Sequence, residues 1–139
     1  MSWTVETIEQ QFIESGFFAR YDIVAQRRED SLLLTFTTRG DLPVVLVVGE
    51  KQILAEVALV ERDEFTDPKE IDYRLLTTHK YLPLSCIAIQ SIAGTDWYVL
   101  FGALSIHSKI EVIGEELIEL VNNTFSVIDA LEPLYKFNN

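Results

Sequence analysis

The sequence has little cysteine and little positive charge, and each shortage excludes a class of protein. With one cysteine, Cys86, in 139 residues, no disulfide can form within the chain. Eleven Lys and Arg residues stand against 22 Asp and Glu residues, so the net charge is −11. Such a surface repels nucleic-acid phosphates and anionic lipids. We therefore expect no nucleic-acid partner, whereas basic or partly unfolded polypeptides remain compatible with this charge.

Long apolar runs and a basic leader are also missing. The uninterrupted apolar run over residues 44–48 has the length of a strand, and no segment approaches the roughly 20 apolar residues that span a bilayer. The opening MSWTVETIEQQF has two glutamates and no basic residue, so we expect no signal peptide and no membrane insertion. A cytoplasmic protein with a single domain over residues 1–139 follows as the expectation.

Apolar residues spaced by three and four predict the first two of three helices. A helix over residues 4–15 places Val5, Ile8 and Phe12 on one face and ends at Gly16. The second helix is predicted to begin after an Asp67 cap and to stop before the proline at position 83.

The third predicted helix, over residues 108–131, has a wider apolar surface than packing on a sheet requires. Ser108 is its expected cap, with Glu111 at the spacing of a capping box. One apolar stripe runs from residue 110 to residue 131 and is sufficient to dock on a sheet. A second stripe beside it is our candidate partner or dimer face: Ile118, Val121, Phe125 and Ile128. Two interpretations are open, since this stripe either contacts another subunit or protein, or is buried between the sheet and the first helix.

Alternation of apolar and polar residues predicts six strands. They cover residues 21–26, 32–37, 44–48, 53–59, 86–89 and 97–102. The run over residues 44–48 is apolar at every position, which predicts a strand covered on both faces. The resulting order α-β-β-β-β-α-β-β-α, with short hairpin connections, predicts an α+β fold in which an antiparallel sheet carries helices mainly on one face.

Residues arranged for chemistry are sparse. There is no glycine-rich phosphate loop, and His79 and His107 are far apart without the spacing of metal ligands. Cys86 lies among apolar residues of a predicted strand, where a thiol is expected to be buried and inert. Ser105 precedes His107 by two residues but lacks the tight turn that exposes a nucleophile. We therefore predict no catalytic, metal-binding or cofactor-binding residue.

Two function classes remain open from the residues alone. The first is a non-enzymatic, dimeric protein that binds another protein in a chaperone-like or regulatory role. The alternative is a small-molecule-binding or enzymatic domain with a pocket between the sheet and the helices. The acidic segment over residues 61–72 lacks the ligand pattern of a calcium loop and predicts a solvated loop and helix cap.

Four motifs in the last third of the chain resemble a known family. They are LPLS (residues 82–85), GTDWY (94–98), FGALSIHS (101–108) and EELIELVNNT (115–124). Together with the opening MSWT, they are similar to the YjfI-like family of uncharacterised bacterial proteins. The resemblance covers most of the chain and implies a bacterial cytoplasmic protein associated with membrane-stress genes. That family has no established catalytic residues to assign to this chain.

The element order, size and acidity also resemble those of type III secretion chaperones, small acidic proteins that form dimers and bind unfolded segments of a client. That resemblance implies a homodimer and a protein partner. The present chain has four predicted strands before its middle helix, where that fold usually has three. The strand over residues 21–26 is therefore either an addition or not a strand, and likeness of fold alone does not establish function.

Overall fold

The computed structural model describes residues 2–136, and this part of the chain forms four α-helices and six β-strands. The helices are α1 (Val5–Glu14), α2 (Phe17–Arg20), α3 (Pro68–Thr78) and α4 (Ile110–Leu131). The strands are β1 (Ile23–Arg27), β2 (Ser31–Phe36), β3 (Leu42–Val48), β4 (Gln52–Glu61), β5 (Cys86–Ile92) and β6 (Thr95–Ser105). The predicted order is confirmed apart from α2, a single turn too short to produce a periodic pattern.

The strands form one six-stranded sheet in the order β1-β2-β3-β4-β6-β5. Neighbours along β1 to β4 pair antiparallel, as do β5 and β6. The uncertain first strand is real, because β1 pairs with β2 over its whole length. The chain leaves β4 through α3 and returns as the β5–β6 hairpin, in which β6 takes the place next to β4. As a result β5 becomes an edge strand, and the predicted α+β fold is confirmed.

The described residues fall into two compact units. Unit 1 contains residues 2–56 and 102–118, and unit 2 contains residues 57–101 and 119–136. The strands β4 and β6 and the helix α4 contribute residues to both units. A single domain over residues 1–139 stays a prediction.

In unit 1, helix α1 forms as its sequence predicts. Thr4 caps it, since the Thr4 side chain accepts a hydrogen bond from the Thr7 backbone N–H at 3.2 Å. Gly16 follows the helix with a φ of 76°, a left-handed conformation that glycine adopts without strain. The reversal brings the Phe17 ring onto Phe12, with ring centroids 4.4 Å apart.

The strands of unit 1 bury one face. Alternate β2 side chains are fully buried, and on β3 Val44 and Leu46 are buried with them. Val45 and Val47, on the opposite face of β3, are only half-buried. The prediction that this strand is covered on both faces is therefore wrong, because an unbroken apolar run does not reveal which elements lie above each face.

Unit 2 has its own apolar core, which holds α3 in place. Asp67 caps α3 by accepting a hydrogen bond from the Glu70 backbone N–H, and the helix ends at Thr78, as expected before Pro83. The buried members of the core come from the β4–α3 connection, α3, β6 and α4. They are Phe65, Ile71, Leu75, Tyr98, Val127 and Leu131.

Helix α4 begins two residues later than predicted. The Lys109 carbonyl accepts the first helical hydrogen bond, from Ile113 N–H at 3.1 Å, so the predicted Ser108 cap is wrong. The Ser108 N–H instead closes a turn onto the Ser105 carbonyl at 3.0 Å, and this turn holds Ser108 outside the helix. Among the described residues, no helix is both long and apolar enough to cross a membrane.

Candidate protein-binding surface

Exposed large apolar side chains are concentrated on one segment of unit 2. Of nine such side chains in the described part of the chain, six lie between residues 73 and 92, and three (Ile13, Val24 and Val112) are in unit 1. Isolated exposed apolar residues are ordinary, whereas a concentration of them is typical of interaction sites. The six lie on α3, on β5 and on the connection between them, and we refer to them together as the α3–β5 surface: Tyr73, Leu76, Tyr81, Leu84, Ile89 and Ile92.

An apolar groove lies within this surface, between α3 and β5. Its volume is about 120 Å³, and its walls include Leu75 and Leu76 from α3 and Ile87 and Ile89 from β5. Leu76 is 70% exposed and Ile89 is 48% exposed, so both side chains border solvent. The groove therefore offers space for an apolar side chain of a binding partner.

A polar network at the floor of the groove positions α3 against β6. The Arg62 guanidinium contacts both carboxylate oxygens of Asp72, at 2.6 Å from Nη2 to Oδ2 and 3.1 Å from Nε to Oδ1. The Tyr98 hydroxyl donates to Asp72 Oδ1 at 2.5 Å. Every charge in this network has a partner, and charge-assisted hydrogen bonds of this kind are strong. The network therefore stabilises the position of α3 relative to β6, and with it the shape of the groove.

The network shifts the ionisation of its members. The hydrogen bond from Arg62 holds the pKa of Asp72 below its ordinary value, with a further contribution from Tyr98 that acts against the effect of burial. Burial raises the pKa of the Tyr98 hydroxyl, and the hydrogen bond to Asp72 raises it further. At neutral pH, Tyr98 is therefore a donor and Asp72 an ionised acceptor.

Replacing Asp72 with asparagine is expected to lower the free energy of unfolding by about 1–3 kcal/mol at pH 7. Because the pKa of Asp72 is lowered on folding, its contribution is present above the unfolded value near 3.8 and is lost as pH falls through the folded pKa. Denaturant unfolding at pH 7 and at pH 2 measures this difference, which we expect to shrink in acid. Asp129→Asn, on an exposed position of α4, is the control. A variant as stable as the wild type at pH 7 would contradict this role.

A second cavity, of about 300 Å³, lies beside the ends of α3 and α4 in unit 2. Its lining is mostly apolar, with polar side chains from Arg74, Thr78, His79 and Ser126. The Thr78 and Ser126 hydroxyls donate to backbone carbonyls one helical turn earlier. His79 Nδ1 differs from them, since it is buried and has no hydrogen-bond partner in the structure. A small ligand with a hydrogen-bonding group could satisfy this atom.

The residues considered for catalysis are divided between the two units. Ser105 and His107 lie in unit 1, where the His107 backbone N–H donates to Ser105 Oγ at 3.1 Å. His79 and Cys86 lie in unit 2. Cys86 is exposed, so the expectation that it is buried is wrong; its strand is at the edge of the sheet.

The second stripe of α4 is largely covered by other parts of the chain. Val121 is 1% exposed, while Ile118, Phe125 and Ile128 are half-buried. On the same helix even the polar Asn123 and Thr124 are buried. Packing within the chain thus accounts for most of the wide apolar band, and the candidate partner or dimer face on α4 stays a prediction.

One feature of the sequence indicates the α3–β5 surface, but this feature is a lack of charge and not a periodic pattern. Between Lys80 and Asp96 the chain has no charged residue. In an acidic protein, such an uncharged stretch with apolar residues on both faces of a strand indicates a surface kept free of charge. Alternation alone assigns these residues to a core, because it does not distinguish a central strand from an edge strand.

Two of the motifs in the last third of the chain meet in unit 2. Asn123 Nδ2 donates to the Pro83 carbonyl at 2.8 Å and to Ser85 Oγ at 2.9 Å. Asn123 and Ser85 are both buried, at 6% exposure each. These bonds anchor the loop that leads into β5 on α4 and thereby set where the edge strand begins.

Three carboxylates of the acidic segment lie close together. One oxygen each from Glu61, Asp63 and Glu64 falls within 4.8 Å of the others. Exposed acidic groups are common at this spacing without an ion, so the cluster supports no metal assignment.

Burial, with the nearby charges of Glu132 and Glu64, raises the pKa of the Tyr135 hydroxyl.

Comparison with sequence families and curated proteins identifies bacterial relatives. A family model described as "Uncharacterized protein conserved in bacteria (DUF2170)" matches residues 2–135. Two Escherichia coli proteins, each described as "Uncharacterized protein YjfI", come from strain K12 and from O157:H7. Each is 30% identical to this chain over 104 residues, which cover 75% of this chain and 78% of the relative.

Solved structures share the fold at low sequence identity. YbjN of E. coli, described as a putative transcription regulator, matches with a TM-score of 0.68 and 10% identity over 92% of each chain. A chain of the ExsC–ExsE complex matches with a TM-score of 0.61 and 12% identity over 98% of each chain. An uncharacterized protein from Methanothermobacter thermautotrophicus matches with a TM-score of 0.60 and 10% identity, over 94% of this chain and 97% of that one. At these identities the likeness shows a shared fold alone.

Proposed function

We propose a protein-binding, non-enzymatic function for this chain, which belongs to the DUF2170 family of bacterial proteins. The predicted resemblance to YjfI-like proteins is confirmed by the family match and by the E. coli relatives. The α3–β5 surface of this chain is the observation that supports the proposal. We assign it a chaperone-like or regulatory role in which this surface contacts another protein.

The energetics of exposed apolar surface support this proposal. Burying apolar area stabilises a complex by about 25 cal/mol per Å², and aromatic side chains are the commonest anchors at interfaces. Tyr73 and Tyr81 are 67% and 75% exposed, so their rings remain available for such contacts. The net charge of −11 favours a partner segment that is basic or neutral.

The fold comparisons are compatible with the same function. One structural neighbour is part of a complex of two proteins, ExsC and ExsE, and another is described as a putative transcription regulator. The architecture is similar to that of type III secretion chaperones, as the sequence predicts. The cytoplasmic location, the homodimer and the association with membrane-stress genes stay proposals for this chain.

Capture of the partner from the bacterial host tests the function and the surface together. We expect the tagged wild-type protein to retain one dominant partner, and the double variant Tyr73→Ser/Tyr81→Ser to retain at least about tenfold less, equivalent to 1.4 kcal/mol. The matched control, Ile13→Ser/Val24→Ser, removes two exposed apolar side chains from unit 1 and should bind like the wild type. Titration of the purified partner then gives each dissociation constant.

The capture experiment also discriminates between the two surfaces considered for binding. Equal retention by the tyrosine variant and its control would exclude the α3–β5 surface as the binding site. Loss of the partner in Phe125→Asp alone, with an unchanged circular dichroism spectrum, would move the binding site to the stripe on α4. No retained partner in any variant would overturn the protein-binding function under these conditions.

A second candidate function, small-molecule binding, rests on the unpartnered Nδ1 atom of His79 in the 300 Å³ cavity. A ligand that binds the folded state raises the melting temperature. A thermal-shift screen of metabolites should then give a stabilising compound for the wild type and no stabilisation of His79→Ala by that compound. Identical responses of the two proteins would remove this candidate.

A further inference from the structure

The 300 Å³ cavity of unit 2 has an aliphatic lining with a few polar side chains. Of the eleven described residues that line it, seven are aliphatic and none has a phenyl, phenol or indole ring. The aliphatic residues include Leu75 of α3, Ile87 of β5 and Leu131 of α4. Such a lining makes dispersion contacts with an alkyl chain but provides no benzenoid or indole ring on which an aromatic ligand could stack.

His79 Nδ1 requires a hydrogen-bond partner that residues 2–136 do not provide. The two hydroxyl groups of the lining donate elsewhere, Thr78 to the Arg74 carbonyl at 2.6 Å and Ser126 to the Asn122 carbonyl at 3.3 Å. A buried polar atom without a partner lowers the stability of the folded state. A ligand atom that forms a hydrogen bond with Nδ1 would remove this cost.

Arg74 is the one charged residue among the described residues that line the cavity. In a chain with twice as many acidic as basic residues, a lining with a cation and no carboxylate distinguishes this cavity from the rest of the surface. The Arg74 side chain is about half exposed, and its Nε atom donates to Glu70 Oε1 at 3.0 Å. A guanidinium has five N–H donors, so this pair leaves the donors of both Nη atoms for a ligand at the solvent boundary.

We propose that this cavity binds a saturated monocarboxylic acid of about eight carbons. Its alkyl chain lies against the aliphatic lining, and its carboxylate accepts hydrogen bonds from Arg74 and from Nδ1–H of His79. The inference rests on the second candidate function above, small-molecule binding at the same cavity, and specifies the class of ligand.

The size of the cavity and the type of contact support this ligand class. A volume of 300 Å³ holds about ten non-hydrogen atoms if each takes the space of a water molecule in the liquid, which is the size of octanoate. Either nitrogen of a neutral imidazole can carry the hydrogen, so Nδ1 can donate to a carboxylate. The net charge of −11 repels an anion at long range, but salt screens that repulsion more than it weakens a direct contact with a guanidinium.

Titration calorimetry of the purified protein with acids of increasing length tests the fit of the alkyl chain. We expect octanoate to bind one molecule per chain. Hexanoate should bind roughly fifteenfold more weakly, because each buried methylene contributes about fourfold in affinity. Dodecanoate exceeds the cavity and should bind no more tightly than octanoate. An affinity that continues to rise with chain length would indicate detergent-like adsorption and overturn the proposal.

The carboxylate contact is tested with a second probe, octan-1-ol, which has the same alkyl chain without the charge. Octan-1-ol should bind the wild type at least about tenfold more weakly than octanoate, since charge-assisted hydrogen bonds are the stronger ones. Arg74→Gln should reduce the affinity for octanoate to that level and leave the affinity for octan-1-ol unchanged. The matched control, Arg28→Gln, removes the same charge from an exposed position of unit 1 and should bind octanoate like the wild type.

Two further substitutions locate the site. Ala130 lines the cavity at an exposed position of α4, so Ala130→Phe fills the cavity without placing a large side chain in the core, and it should abolish octanoate binding. His79→Leu removes Nδ1 and should weaken octanoate binding at least about tenfold. The free His79→Leu protein should melt no lower than the wild type, because the buried atom without a partner is gone. Circular dichroism verifies the fold of each variant.

Each contrary outcome overturns the proposal in an identifiable way. Equal affinities for octanoate and octan-1-ol would exclude recognition of the carboxylate. Octanoate binding that is unchanged in Ala130→Phe or in His79→Leu would place the acid elsewhere on the protein. If no acid binds but another compound stabilises the wild type and not His79→Ala, the ligand class is wrong and the candidate function remains. If no compound of any class stabilises the wild type, both are overturned, and the protein-binding proposal is unaffected.

Discussion

Truncation of Phe65 to alanine is expected to lower the free energy of unfolding by about 3–5 kcal/mol, the usual loss for a fully buried aromatic residue. Phe65 is 1% exposed and lies in the connection between β4 and α3. Its ring contacts Tyr98 edge-on, with centroids 5.8 Å apart, and Tyr135 at 5.1 Å. The alanine variant loses both ring contacts and leaves a cavity beside the residues that hold α3.

Denaturant unfolding monitored by circular dichroism measures the effect of this substitution. Tyr81→Ala is the matched control, because it also removes an aromatic ring but from a position that is 75% exposed. We expect the control to change the free energy of unfolding by less than about 0.5 kcal/mol. A loss below about 1 kcal/mol for Phe65→Ala would show that the core of unit 2 collapses around the deletion, contrary to the packing described above.

The second large effect is expected for Gly102→Ala, one of the smallest possible changes in the chain. A Cβ atom at position 102 would lie 1.9 Å from Oε1 of Glu116 and 2.8 Å from its Cδ atom. The side chain of Glu116 is 5% exposed, so it cannot move into solvent without disturbing its surroundings. We expect a loss of about 3 kcal/mol in the free energy of unfolding, at the upper end of the range for overpacked sites.

A double-mutant cycle isolates the contact between these two residues. Glu116→Ala removes the Cγ, Cδ and Oε1 atoms that the new Cβ would meet, so Gly102→Ala should cost much less in that background. The expected coupling is about 1–2 kcal/mol in favour of the double variant. Equal costs of Gly102→Ala in both backgrounds would place the strain in the backbone of β6 instead of at the Glu116 carboxylate.

The elements that the sequence predicts well are those with local signals. Val5, Ile8 and Phe12 are buried on one face of α1 as their spacing predicts. Asp67 caps α3 through its side chain, and Gly16 follows α1 in a left-handed backbone conformation. Each of these signals lies within one short segment of the chain. It is therefore complete in the sequence without reference to distant segments.

The errors concern positions whose environment depends on distant segments. Ser108 is an exception, because a local turn keeps it out of the helix: its backbone N–H donates to the carbonyl of Ser105, three residues earlier. Val45 lies in a run that is apolar at every position, a pattern typical of strands covered on both faces. In the structure only one face of this strand is buried. The Arg62–Asp72–Tyr98 network is likewise invisible to local patterns, because its members are separated by 10 and 26 residues.

By itself, the sequence determined the α+β class, the order of the long elements and the acidic character of the surface, because periodicity and charge are local or additive properties. Tertiary structure alone decided that β6 pairs beside β4 and that β5 lies at the edge of the sheet. Strand order depends on long-range pairing, which no short pattern specifies. That order exposes Cys86 and Ile89, and it converts a segment with the composition of a core strand into the candidate binding surface.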